Sequence, residues 1–257
     1  MESARRTSTD LRTRLANLPR GHPSEASYSW DRAKAAFAEA WQRHQERWPR
    51  SEQKADRKEP RTAIERQLAD GCDKIQAAEK EITGKLRAIE AQQPGRTLIG
   101  LDFRLKGRDR LIEKTMQAIA GKPGRSPEAT LALMPDAVRY TFAYEARDYA
   151  IGVRRDTDRL RAAGFEMIKL KNYWSDSEYK GINSQWRDGS TGQRFEVQFH
   201  TSISFDSKQL THDAYARLRS PLPTMSRHEL AALHKLQRDV TAKIPHPPGA
   251  EDIRDQA

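Results

Sequence analysis

The chain has 257 residues, enough for one or two domains at about 150 residues each. Apolar residues make up 36% and charged residues 32%, and no run of about 18 apolar residues exists, which excludes a membrane-spanning helix. The formal charge of +10 is unevenly spread, with 13 basic and 9 acidic side chains over 1–60, 14 and 9 over 61–125, and 19 and 18 over 126–257. The first half would attract a polyanion such as nucleotide phosphates or RNA, the alternative being a solvated, arginine-rich helical surface.

Residues 1–25 read as a flexible polar tail, and nothing in Met1–Arg20 has the apolar stretch of a signal peptide. Trp30, Phe37, Trp41 and Trp48 recur at helical spacing, so a helix is expected over Ser29–Trp48 with these four on one face. That face suits packing, with base stacking as the alternative. A charged linker follows at Ser51–Pro60. A longer helix is expected over Thr62–Gln93, stopped by Pro94-Gly95, with Ile64, Leu68, Cys72, Ile75, Ile82, Leu86 and Ile89 as its apolar seam. Cys72 is the single cysteine, which excludes an internal disulfide and a cysteine-clustered zinc site. In that seam it reads as a buried, inert thiol.

From Leu98 the pattern changes. A short apolar run, Leu98–Leu101, leads through a basic segment into a helix ending near Gly121, and Ser126-Pro127 caps and opens a short helix. Strands are expected near Ala137–Tyr144, Glu166–Tyr173, Gly181–Arg187 and Arg194–His200. The last two form a hairpin around Asp188-Gly189-Ser190. Helices are expected at Ala146–Ala163, closed by Gly164, at Phe205–Leu218, and at Ser226–Ile244, which opens with a Ser226/Glu229 capping box. The reading is an α/β (α+β) fold with a mixed sheet of four to five strands flanked by helices. Its expected divisions are a tail (1–25), an N-terminal helical region (26–97), the mixed domain (98–244) and a disordered tail (245–257).

Three clusters could carry chemistry. Arg104, Lys106, Arg108 and Arg110 alternate, so in an extended segment they would point one way, with Lys114 one turn into the next helix. Such an array could grip a triphosphate. Asp136, beside Arg139 at a strand start, could ligate magnesium or simply end a helix. In the last strand Glu196, Gln198 and His200 share one face while Phe195, Val197 and Phe199 share the other, and Tyr179-Lys180-Gly181-Ile182-Asn183 precedes the partner strand.

Taken in this order, Arg-x-Lys with a later lysine, the aspartate before a strand, Tyr179–Asn183 and Glu196-Val-Gln-Phe-His-Thr201 resemble the RelA/SpoT-like alarmone synthetase family over about residues 100–220. The resemblance implies an ATP-dependent pyrophosphokinase that moves the β,γ-pyrophosphate of ATP to the 3′-hydroxyl of a guanosine or adenosine nucleotide. It implies Asp136 and Glu196 as magnesium ligands, with Glu196 also helping to deprotonate the hydroxyl. Arg104, Lys106, Arg108 and Lys114 would bind ATP, and Tyr179, Asn183, Gln198 and His200 would line the acceptor site. His200 stands where the family usually has arginine, Asn183 where many members have histidine and Arg110 where serine is common. The segment Asp136-Ala-Val-Arg139 lacks the glycine often seen after the aspartate. In this the segment resembles the more divergent, toxin-like members. The family's hydrolase motif is missing, which implies synthesis only. The implied partners are ATP and an acceptor nucleotide in the cytoplasm, of the host or of a cell into which the protein is delivered. Further options are tRNA, pyrophosphorylated at its 3′ end, a second copy of the chain, and an immunity or antitoxin protein. A non-catalytic RNA-binding module is the reading from another class.

Overall fold

The computed structural model describes residues 62–121, 124–218 and 225–257. The expected tail 1–25, the helix Ser29–Trp48 with its aromatic stripe, and the linker Ser51–Pro60 lie outside the described residues. The first described helix, α1 (Ala63–Ala91), starts at a capping box in which Thr62 Oγ1 accepts from the Glu65 N–H and the Glu65 carboxylate accepts from the Thr62 N–H. Its seam is buried as expected from Leu68 to Ile89, whereas Ile64, in the first turn, is exposed.

Five strands follow: β1 (Arg96–Ile99), β2 (Arg139–Tyr144), β3 (Phe165–Asn172), β4 (Ile182–Asp188) and β5 (Arg194–Thr201). They form one mixed sheet in the order β1-β2-β5-β4-β3, with β2 and β5 parallel and every other pair antiparallel. The helices are α2 (Arg108–Ala120), α3 (Pro127–Ala132), α4 (Tyr149–Ala162), α5 (Ser202–Leu218) and α6 (Arg227–Thr241). Local signals set several ends. Ser126 caps α3, Gly164 turns in the left-handed region after α4, and the Ser226/Glu229 box opens α6.

Period two divides the sheet into unlike faces. Tyr140, Phe142 and Tyr144 of β2, Phe195, Val197 and Phe199 of β5, and Ile182 and Trp186 of β4 form the buried face. Helix α1 lies against it, with the Tyr140 hydroxyl 2.8 Å from Thr83 Oγ1. Helix α4 joins it, with the Tyr149 hydroxyl donating to the Phe199 carbonyl at 2.8 Å. On the buried side of α4, Asp156 accepts from the Tyr144 hydroxyl (2.8 Å) and pairs with Arg96 (2.8 Å) and Arg159 (2.7 Å). Arg139, Thr141, Glu196, Gln198, His200 and Asn183 fall on the other, polar face by register.

Two expected divisions differ from the structure. Helix α1 is no separate region before the mixed domain, because its seam shares one core with the sheet and α4. Residues 245–257 are ordered rather than a disordered tail. Strand β3 is the sheet edge, and its unpaired backbone draws in the C-terminal segment. Leu170 and Gln256 exchange backbone hydrogen bonds (2.8 and 3.0 Å), and the Asn172 side chain donates to the Ala250 and Ile253 carbonyls, both at 2.8 Å. Ala250 and Ile253 are thereby buried.

Replacing Gly152 in α4 with alanine would ordinarily favour a helix by about 1 kcal/mol. A Cβ there would meet Tyr144 Cδ1 and Cε1 at 2.6 Å, and that ring is held by Asp156. Gly152→Ala is therefore expected to lose about 1–3 kcal/mol in urea denaturation, the opposite sign to propensity.

Candidate active site

Parallel pairing sets Arg139 opposite Glu196. Asp136 lies in a short 3-10 turn, Pro135–Ala137, that delivers the chain into β2. Arg139 therefore reaches both carboxylates, with Nε 3.5 Å from Glu196 Oε1 and Nη2 3.8 Å from Asp136 Oδ2. Two lysines close on Asp136 from the other side. Lys106 Nζ lies 3.0 Å from Oδ2, positioned by the Leu105–Val138 bridge and a 3.0 Å bond from its N–H to the Ala137 carbonyl. Lys114 Nζ, from α2, donates to both carboxylate oxygens at 2.8 and 2.6 Å. Burial works against the ionised form of Asp136, but Lys106 and Lys114 outweigh it and hold its pKa at about 2. Burial in turn lowers the pKa of Lys106, against the pull of Asp136.

The other predicted cations are placed elsewhere. The segment from Arg104 is extended only around the Leu105–Val138 bridge. It leaves a 3-10 turn (Leu101–Phe103) and enters α2 at Arg108, so the expected alternation fails. Arg104 Nε instead pairs with Glu79 Oε1 of α1 at 2.5 Å, Arg108 pairs with Asp73 of α1 at 2.6 Å, and Arg110 pairs with Glu113 at 3.0 Å.

Glu196 continues into a chain of side chains along β5. Gln198 Nε2 donates to Glu196 Oε1, and Lys208 Nζ, on α5, donates to Gln198 Oε1. Burial pushes the Lys208 pKa down to about 7, Arg139 adds to the effect and Glu196 opposes it. Beside this chain the Tyr179 hydroxyl donates to Asn183 Oδ1 (2.7 Å) and lies 2.9 Å from His200 Nε2, while His200 Nδ1 lies 2.8 Å from the Ser204 hydroxyl. Both ring nitrogens of His200 thus face hydroxyl oxygens, Nε2 that of Tyr179 and Nδ1 that of Ser204. Gly181 makes room for this ring, since a Cβ there would lie 2.7 Å from His200 Cε1. The neighbouring Glu178 accepts from His234 (2.9 Å), Gln237 (3.0 Å) and Arg238 (3.0 Å), which ties the Tyr179 loop to α6.

The fold thus gathers Asp136, Glu196, Lys106 and Lys114 around Arg139, and Tyr179, Asn183, Gln198 and His200 beside them. It turns Arg104 and Arg108 toward α1. Arg139 and Lys208 are the residues to which sequence reasoning gave no role. The parity of Arg139, opposite to Tyr140, Phe142 and Tyr144, was a usable signal. Lys208 carries no such local mark.

His200 is fully buried, and burial, then Lys208, push its pKa well below 6.5. The unfolded chain therefore binds a proton near pH 6.5 that the folded chain refuses. The stability that depends on neutral His200 is complete above that pH and is lost as pH falls below it. Thermal midpoints measured from pH 7.5 to 5 should drop below pH 6.5 with a contribution of up to about 1.4 kcal/mol per pH unit, and His200→Gln should flatten that limb.

The sequence matches no family model and no curated protein sequence. Solved structures to which the chain is similar include the small alarmone synthetase 1 from Bacillus subtilis bound to its product pppGpp (16% identity, 66% of this chain and 87% of that chain, TM-score 0.48). A GTP pyrophosphokinase family protein from Streptococcus pneumoniae matches at 19% identity over 66% of this chain and 86% of that chain, with a TM-score of 0.44. The small alarmone synthetase 2 from Bacillus subtilis matches at 13% identity over 68% and 92%, with a TM-score of 0.41.

Proposed function

We propose that the chain is an ATP-dependent pyrophosphokinase that transfers the β,γ-pyrophosphate of ATP to the 3′-hydroxyl of a guanosine or adenosine nucleotide, making a growth-inhibiting alarmone. The observation that carries this reading is the meeting of Asp136 and Glu196 at Arg139, with Lys106 and Lys114 facing them. Phosphoryl-type transfer asks a protein for positioning and charge neutralisation more than covalent help, and this arrangement offers both.

Magnesium fits the donor set. Both carboxylates are hard oxygen donors, and the contacts of Glu196 to Gln198 and Arg139 both fall on Oε1, leaving Oε2 for a cation. Among the described residues no three acidic, histidine or cysteine side chains converge, so water and phosphate oxygens would complete the shell, as magnesium prefers. Bound there, the ion would neutralise charge on the pyrophosphate.

Lys106 and Lys114 would exchange Asp136 for phosphate oxygens as ATP enters, which frees the Asp136 carboxylate at the same moment. Arg108 could join them cheaply, since its exposed pair with Asp73 is worth about 1 kcal/mol or less. Arg104 would have to leave buried Glu79, a costlier move. Tyr179 would stack on the acceptor base, with Asn183, Gln198 and His200 behind it. The 3′-oxygen forms its bond to the β-phosphorus as the bond to the α-phosphate oxygen breaks. The hydroxyl proton passes to Glu196, and AMP leaves.

Incubation with magnesium and γ-labelled ATP in the presence of GDP, GTP, ATP or deacylated tRNA should place label on a mononucleotide acceptor and release AMP. A folded sample that labels none of them would overturn the reading, and label on tRNA alone would overturn the mononucleotide acceptor. Glu196→Gln should cost at least about 100-fold in kcat with an unchanged melting temperature. Lys114→Met should act mainly on the KM for ATP.

A further inference from the structure

Lys208 is a half-buried cation that no step above employs. Its position follows from the way α5 leaves the sheet. The helix begins at Ser202, directly after Thr201 ends β5, and folds back over the polar face. Advancing four residues along a helix covers about 6 Å, and retreating two along a strand covers about the same. Ser204 therefore meets His200, and Lys208, four residues on, meets Gln198.

A protonated lysine head group only donates, whereas a glutamine amide can present either end. Against Lys208, Gln198 must show its oxygen, and its NH2 is then turned toward Glu196. If the amide reversed, its oxygen would face the Glu196 carboxylate, acceptor against acceptor.

We propose that Lys208 is a positioning residue, which locks the Gln198 amide so that it holds Glu196 Oε1 and leaves Oε2 facing the acceptor hydroxyl. The role goes beyond anchoring α5. Ser204 already ties the helix to β5 through His200 and through the Thr201 N–H at 3.0 Å, and Phe205 is buried beneath it. The catalytic consequence rests on the pyrophosphokinase reading, but the orientation of Gln198 does not.

Two measurements on the full chain test it. The Gln198 side-chain amide, assigned in a nitrogen-15 spectrum by its disappearance in Gln198→Leu, should be shifted and protected from exchange. It should become a mobile solvent-like amide in Lys208→Met and keep its bonded signature in Lys208→Arg. In the transfer assay Lys208→Met should lose about 10–100-fold in kcat with the KM for ATP within twofold, and Lys208→Arg should recover most of it. A solvent-like Gln198 amide in the wild type, or an unchanged one in Lys208→Met, overturns the proposal. So does equal failure of the arginine variant, or a loss that appears in melting temperature and KM instead of kcat. Should Lys208→Met not fold, a mobile Gln198 amide in folded Lys208→Arg overturns it equally. If the wild type transfers nothing, the functional reading fails while the amide signature still decides the role of Lys208.

Discussion

The parallel pairing of β2 with β5 is the constraint on which the rest depends, because its register decides which side chains meet on the polar face. Tyr140, Phe142 and Tyr144 bury on one side of β2, and Phe195, Val197 and Phe199 do the same on β5. A slip of one residue between them would turn one of the two apolar sets outward, so the core holds the register. Arg139 and Glu196 are then opposite each other without any attraction of their own being needed. The site is in this sense a by-product of the hydrophobic core, and its geometry is as stiff as the aromatic packing behind it.

Two ionic clusters in the same domain differ in burial, and so in how freely their members can change partners. Around Asp156 the carboxylate has no exposure and Arg96 has 3%, so each charge depends on its partners and removing one strands the others. Around Asp136 the carboxylate keeps 17% exposure and Lys114 keeps 47%, which leaves solvent to screen the pair. Lys114 can therefore change partners at small cost. Lys106, Lys114 and Arg139 also outnumber the two carboxylates they surround. A lone divalent cation would raise that positive excess, whereas a triphosphate would relieve it. The field around these carboxylates therefore favours an anion over a lone divalent cation.

What could be read from the sequence was what lies within a few residues of itself. The capping box at Ser226 and Glu229, the proline-initiated helix after Ser126, the glycine stop at Gly164 and the alternation from Phe195 to His200 all appear where local chemistry places them. The diversion of Arg104 and Arg108 was not legible, because Glu79 and Asp73 reach them across the fold from α1. Nor was the C-terminal segment, whose polar composition hides a backbone partner for the edge of β3. Lys208 belongs to the same class. A lysine in a helix reads as a solvated one until the reversal of the chain after β5 lays it across Gln198.

His200 makes the last connection between packing and chemistry. An arginine at this position, as in the family pattern that the segment resembles, would bring a permanent cation and a long side chain. Here the backbone at Gly181 approaches to where only hydrogen fits, and the imidazole fills the remaining space as a neutral ring. Neutrality lets it donate at one nitrogen and accept at the other, so that Ser204, His200, Tyr179 and Asn183 form one line of hydrogen bonds, with Tyr179 donating to Asn183. Tyr179 is thereby oriented by bond direction rather than by charge. The floor beneath Tyr179 is uncharged for the same reason that it is tightly packed.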